Sequence, residues 1–295
     1  MAGISTNRTN ITLPADVSSE IMQKTQEQSA VMTLARQIAL PGRGLTIPVI
    51  TGDPEASWVD ETDAKPVSNP SLSTKIMQAY KLAVIVPFSD EFARDMKALY
   101  DALVARLPLA LAQKFDATVF HGTAPGSNFD TFASVTAQSI SGTGNSMYGA
   151  LVAADTDIAT HGGILNGFVF SAQGRGELLA AKDGNERPLF IDSPADGVVP
   201  KLLGAPVAYS KGAYKDGTSG TGATPDVIGF AGDWTQAMYG TVEGVKIDMS
   251  NQATLTISNS AVNLWERNMF AVRAEIEVGF RADTTVFNKL TRAHA

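Results

Sequence analysis

The side chains that could do chemistry in this sequence are few and far apart. His121, His161 and His294 are its three imidazoles, and no two of them share the i, i+4 spacing that pairs metal ligands on a helix. There is no cysteine, which excludes disulfides, thiolate metal sites and cysteine nucleophiles. Asp60, Glu61 and Asp63 form an acidic cluster. They lie among prolines and serines, where such a cluster reads as a solvated or interfacial face and not as a carboxylate pair for acid–base work. Ser171–Gly176 (SAQGRG) is not the GxSxG of a nucleophile elbow. No glycine-rich piece forms GxxxxGK[ST], or GxGxxG opening a helix after a strand. Trp234 and Trp265 read as core aromatics. The sequence therefore assigns no catalytic, cofactor or metal residue.

The elements that would position such groups point instead to projecting pieces that need partners. With 295 residues and 44% apolar content, the chain can bury a sizeable core in one large or two small domains. It has no run of 18 apolar residues, and its first ten residues lack the apolar core of a signal peptide. A net charge of −7 argues against a general nucleic-acid binder, which needs a basic face.

One stretch dominates the pattern. Tyr80–Gly122 reads as a buried strand, a break at Pro87, then a helix of about 30 residues capped at Ser89 with Asp90 and Glu91 in its first turn. Phe92, Met96, Leu99, Leu103, Leu107, Leu111, Phe115 and Val119 recur at helical steps on one stripe. Pro108 lies inside that helix and predicts a kink.

Before it, residues 1–17 read as a polar arm, and Ser18–Ala39 as a helix ended by Leu40-Pro41-Gly42. Thr46–Ile50 reads as a strand. Residues 53–78 are polar and proline-punctuated, which marks a functional loop or a floppy one. A two-stranded ribbon there would need a surface to lie on. Trp58 and Val59 are the residues that would dock it on another subunit.

After the long helix, Met147–Thr160 reads as a helix with Leu151, Val152, Asp155, Ile158 and Ala159 along one side. Gly167–Ser171 reads as a buried strand, followed by a helix that Ser171 caps. Val207–Ser210 and Asp226–Ala231 are strands around the Lys211–Pro225 loop, and two short strands follow near Val245–Met249 and Ala253–Ser258. Phe270, Val272, Ala274, Ile276, Val278 and Phe280 alternate with Arg273, Glu275, Glu277 and Arg281. That period of two predicts a strand with one buried and one charged face. The fold class is α+β.

Several segments, in order, resemble the tailed-bacteriophage major capsid proteins with the Hong Kong 97-like fold. Trp58-Val59 with Glu61 resembles that family's Trp-Val-Glu segment. Lys81-Leu82-Ala83, then Ser89-Asp90-Glu91 and Asp95, resembles its next conserved stretch. Phe115-Asp116 through Gly122–Gly126, Lys182–Leu189, Leu202–Val207, Gly232-Asp233-Trp234, Asn268–Arg273 and Phe287–Leu290 match later ones. The match runs over about residues 13–290.

The resemblance implies an N-terminal arm (1–37) and an extended β-ribbon loop (52–80) that lies over a neighbour. It implies a peripheral domain (38–51, 81–124 and 240–280) with the long spine helix, and an axial domain (125–239 and 281–295). Trp58, Val59, Glu61, Lys65 and Lys75 would then be subunit-interface residues. The implied function is a coat protein that self-assembles through pentamers and hexamers into an icosahedral shell around packaged double-stranded phage DNA, assembled in the host cytoplasm. Implied partners are the chain itself, a separate scaffolding protein, a portal, and a maturation protease or decoration proteins, with no membrane. Some members cross-link a loop lysine to an asparagine; Lys65 and Lys75, with Asn251 and Asn268, are the matching types, and they read first as ordinary surface residues. The alternatives are an encapsulin-like nanocompartment shell, or an α+β enzyme or binding protein without a recognisable motif.

Overall fold

The computed structural model describes residues 15–42, 44–50, 58–59, 72–91, 96–140, 146–182, 185–190, 201–257 and 260–294. In chain order these form α1 (Ala15–Gln28), α2 (Ala30–Leu34), β1 (Arg36–Ala39), β2 (Leu45–Ile50), β3 (Leu72–Met77), β4 (Tyr80–Ser89) and α3 (Met96–His121). There follow β5 (Thr136–Ser139), α4 (Met147–Thr160), β6 (Gly167–Phe170), α5 (Ala172–Ala180), β7 (Lys201–Leu202), β8 (Ala205–Tyr209) and β9 (Asp226–Gly232). The rest is β10 (Ala237–Thr241), β11 (Lys246–Ser250), β12 (Thr254–Ile257), β13 (Ser260–Asn263), β14 (Met269–Ala282) and β15 (Phe287–Arg292). The architecture is α+β.

Two elements thread two cores. Leu103, Leu107 and Leu111 of α3 bury in one core with Ile21, Val245, Phe270, Val272, Ala274 and Ile276. One turn further on, Phe115, Val119 and Phe120 enter the second core. Strand β14 makes the same crossing, with Ile276 in the first core and Val278 and Phe280 in the second. The helical stripe and the period-two strand are thus the two rails that join the halves. At 1.5 Å per residue the 26-residue α3 is about 39 Å long, enough to span both.

The first half carries a five-stranded sheet. Strand β4 pairs along one side of β14, β10 and β11 pair along the other, and β1 adds parallel to β10. The second half carries a six-stranded sheet in the order β5-β15-β9-β6-β8-β7. Every residue of β6 and β9 is buried, as expected of strands covered on both faces. Phe132 stacks on Phe287 at 4.3 Å and Phe120 on Phe230 at 4.7 Å, so aromatic area dominates this core.

Several expectations are corrected. Pro87 does not break β4: it stands opposite Ala271 within the strand, and among the described residues no further strand pairs on its other side, where a missing N–H is tolerated. Ser89 pairs with Met269 as the last residue of β4 and is no helix cap; α3 is described from Met96 on. The helix expected over 18–39 stops at Gln28, restarts at Ala30 and ends at Leu34, after which Arg36–Ala39 is a strand. The break is Ser29, whose hydroxyl accepts from the Met32 amide as an N-cap. On α4, Leu151 and Ile158 are buried as expected, but Val152, Asp155 and Ala159 are exposed. On β14, Arg281 belongs to the supposedly charged face and is buried. Trp234 is core, whereas Trp265 is 67% exposed.

Candidate interaction surfaces

The β2–β3 pair is a ribbon on its own, in register from Leu45 opposite Met77 to Ile50 opposite Leu72, and joined to neither larger sheet. What fixes it is a clamp at its root. Arg281 Nε donates to the Ile76 carbonyl at 2.9 Å, and Lys75 Nζ donates to the Ala282 carbonyl at 3.3 Å. The same guanidinium donates from Nη1 to Asp130 at 2.8 Å and from Nη2 to Asn128 Oδ1 at 3.0 Å. Asp130 also accepts from the Ala282 amide at 3.2 Å. Gly44, with φ +87°, lets the chain enter β2; a Cβ there would stand 2.7 Å from the Met77 carbonyl oxygen.

On the ribbon loop, Trp58 is fully exposed and Val59 partly so. Glu61 and Lys65 lie outside the described residues. Lys75 is at the root, where its ammonium reaches its own chain's backbone. Pro108 is buried within α3, which continues through it. Asn251 is exposed, and Asn268 has a left-handed backbone whose carbonyl accepts from the Asp90 amide at 2.9 Å.

Three polar sites escaped the sequence reading. The first is Asp116, fully buried on α3. Its carboxylate accepts from the Ser29 hydroxyl at 2.5 Å, the Ser210 hydroxyl at 2.6 Å and the amides of Ala30 and Val31. It therefore fixes the start of α2 and the turn after β8 to the long helix. Burial pushes its pKa up, and the two hydroxyls and two amides work against that shift. A signal was present: Asp116 falls on the same helical stripe as Ala112 and Val119, where a lone carboxylate needs partners. The second is Arg281, for which an alternating strand gives no warning.

The third is Asp226, also buried, which accepts from Arg292 Nε at 3.0 Å, the Gly217 amide at 2.8 Å and His294 Nδ1 at 2.7 Å. Burial opposes its ionisation. The bonds from His294, Gly217 and Arg292 outweigh it and bring the pKa down to about 2. Asp216, Asp226 and His294 have the donor atoms to hold a cation. The Arg292 guanidinium, which also pairs with Glu177 at 2.7 Å, already neutralises this carboxylate. The arrangement closes the C-terminal strand against β9 and the loop before it. His121 Nε2 is buried and unpartnered among the described residues, and burial followed by the nearby Lys215 charge lowers its pKa.

The described residues thus offer surfaces and fixed joints. The sequence profile of the Phage capsid family matches residues 9–283. A probable major capsid protein of Mycobacterium phage L5 is 30% identical, over 96% of this chain and 90% of its own. The major capsid protein of Staphylococcus phage 80alpha is 26% identical, over 96% and 85%. Among solved structures, a chain from Mycobacterium phage Cain superposes with a TM-score of 0.71 at 20% identity, covering 91% of each chain. One from Gordonia phage Cozz gives 0.70 at 23% identity, over 91% of this chain and 87% of that one. These neighbours share the Hong Kong 97-like fold with this chain.

Proposed function

This chain belongs to the phage capsid family and is a structural coat protein, and we propose that its copies close through pentamers and hexamers into an icosahedral shell around double-stranded DNA. The observation that carries the reading is the β2–β3 ribbon, which is joined to neither larger sheet. A two-stranded ribbon is marginal in water by itself, so a neighbouring copy is the surface it needs. Trp58, Val59, Glu61 and Lys65 on its loop, with Lys75 at its root, are the interface residues of this reading. Residues 1–37 are its arm and 52–80 its extended loop. The five-stranded sheet with α3 is its peripheral domain, and the six-stranded sheet its axial domain.

A net charge of −7 suits a container whose wall must let a polyanion slide. Assembly in the host cytoplasm, with a separate scaffolding protein, a portal, and a protease or decoration proteins, belongs to the same reading. Sedimentation velocity and negative-stain microscopy of the purified chain, alone and with its scaffolding protein, test it. Closed particles, or capsomers of five and six subunits, are expected. A monomer or dimer under both conditions overturns it. Dense protein in place of nucleic acid inside native particles would favour the nanocompartment reading.

A further inference from the structure

Helix α4 carries apolar residues on both sides but covers them on one. Met147, Ala150, Leu151, Ala154 and Ile158 are buried, while Tyr148 and Val152, one turn apart on the other side, are 52% and 39% exposed. Asp155, the next residue on that outer stripe, is exposed and has no ion pair among the described residues. Tyr148 and Val152 thus leave apolar area on a face that otherwise carries Asp155, Thr156 and Thr160, and such a patch rimmed by polar residues marks an interaction site.

Helix α4 packs over β5, β15 and β9, at one end of the six-stranded sheet. The other end, five strand spacings or about 24 Å away, is the β7–β8 hairpin. Its turn presents Leu203, 45% exposed. Lys201 beside it is exposed and also has no ion pair among the described residues. Leu203 has φ +49° and Gly204 φ +83°. Asn or Gly is the usual choice for the first of two such positions, so an exposed leucine stands there against its backbone preference.

We infer that these two ends of the sheet are the two halves of one head-to-tail contact between neighbouring copies. Leu203 of one copy seats between Tyr148 and Val152 of the next, and Lys201 of the first pairs with Asp155 of the second. A ring of identical subunits requires two different, complementary patches at opposite ends of the same body. Here each end carries exposed apolar area and one uncompensated charge, and the charges have opposite sign. The inference rests on the coat-protein reading and adds the residues that meet within a ring.

The absence of cysteine makes the test clean. In assembled particles, a Val152→Cys/Leu203→Cys variant should give, on mild oxidation, a ladder of covalent oligomers on a non-reducing gel that ends at the closed ring. Particles of normal shape that yield only monomer bands overturn the contact and leave the coat reading intact. As an independent measurement, Asp155→Lys and Lys201→Asp should each lower particle yield about five-fold with an unchanged melting midpoint, and the double variant should restore it. A double variant no better than the worse single one overturns the pairing. A wild-type chain that assembles under no condition removes the coat reading and this contact together.

Discussion

Asp116 and Ser210, 94 residues apart in the chain, meet at 2.6 Å in the protein interior. The same carboxylate takes the Ser29 hydroxyl and the first amides of α2. One side chain on α3 thereby joins the amino-terminal helices, the long helix and the turn after β8. Asp116→Ala would strand two amides and two hydroxyls in the protein interior. Each buried unsatisfied donor costs about 1–3 kcal/mol, but the hydroxyls can rotate towards other acceptors. We expect a loss of about 2–4 kcal/mol. Ser210→Ala removes one donor to the carboxylate and the acceptor of the Gly212 amide, and should cost about 1–2 kcal/mol. Urea unfolding of the free subunit measures both. An Asp116→Ala variant as stable as Ser210→Ala would show that this joint is not what holds the three pieces.

Asp116 and Asp226, both buried, respond to acid in opposite senses. Asp226 has a folded pKa of about 2, below its ordinary 3.8. Its contribution to stability is therefore complete above about pH 4 and is lost as pH falls through 2. Asp116 is raised above 3.8, so its ionised form opposes folding, and that opposition is relieved as pH falls through its folded pKa towards 3.8. Asp226→Asn should therefore lower stability at pH 7 and flatten the loss between about pH 4 and 2. Asp116 should not produce a loss in that window. Equal slopes for wild type and Asp226→Asn over this range would show that Asp226 is not held ionised by Arg292 and His294.

The ribbon's direction depends on Arg281. Its guanidinium reaches Ile76, Asp130 and Asn128 at once, from a side chain that is 11% exposed. Arg281→Ala leaves Asp130 half-buried and short of its cation, a loss of about 3–5 kcal/mol at the buried extreme. It also frees the ribbon root. Amide exchange over Leu72–Met77 should quicken well beyond that over β14, because among the described residues the ribbon pairs with neither larger sheet. Lys75→Met, which removes the bond to the Ala282 carbonyl but keeps the stem, should quicken it less. Exchange that rises equally in the ribbon and β14 would mean global destabilisation and would sink the hinge role.

The rails of this fold were legible because burial imposes a period. Leu103, Leu107, Leu111, Phe115 and Val119 repeat at helical steps, Phe270 to Phe280 alternate, and both sets are buried. What was not legible depends on contacts between distant segments. Pro87 reads as a break until β14 makes β4 an edge strand. Arg281 reads as a solvated charge until Asp130, 151 residues away, is seen beside it. The break at Ser29 depends on Asp116, 87 residues on, as well as on its own hydroxyl. On α4 both faces carry apolar residues, so the spacing alone does not say which one the chain covers itself. One strand of the ribbon was legible at Thr46–Ile50, whereas its partner Leu72–Met77 lies at the end of a stretch that reads as polar loop, and the clamp joins three separate segments.

Pro108 sits between Leu107 and Leu111, inside a helix that continues through it. Proline has no N–H to give the carbonyl four residues back, and its ring crowds that carbonyl; in a helix interior this costs about 3 kcal/mol relative to alanine. The cost falls on the element that joins the two cores, where a change in helix curvature would alter how the halves sit. If shell copies change shape during maturation, the turn around Pro108 is where α3 can store strain that such a change releases. Pro108→Ala should then raise the unfolding midpoint of the free subunit, because the missing hydrogen bond is regained. The same substitution should slow the shape change of assembled particles, because the strain is gone. Differential scanning calorimetry reads the first effect and time-resolved small-angle scattering of particle radius reads the second. A raised midpoint with an unchanged rate of expansion would leave Pro108 as a local irregularity in a straight rail and remove it from the mechanism.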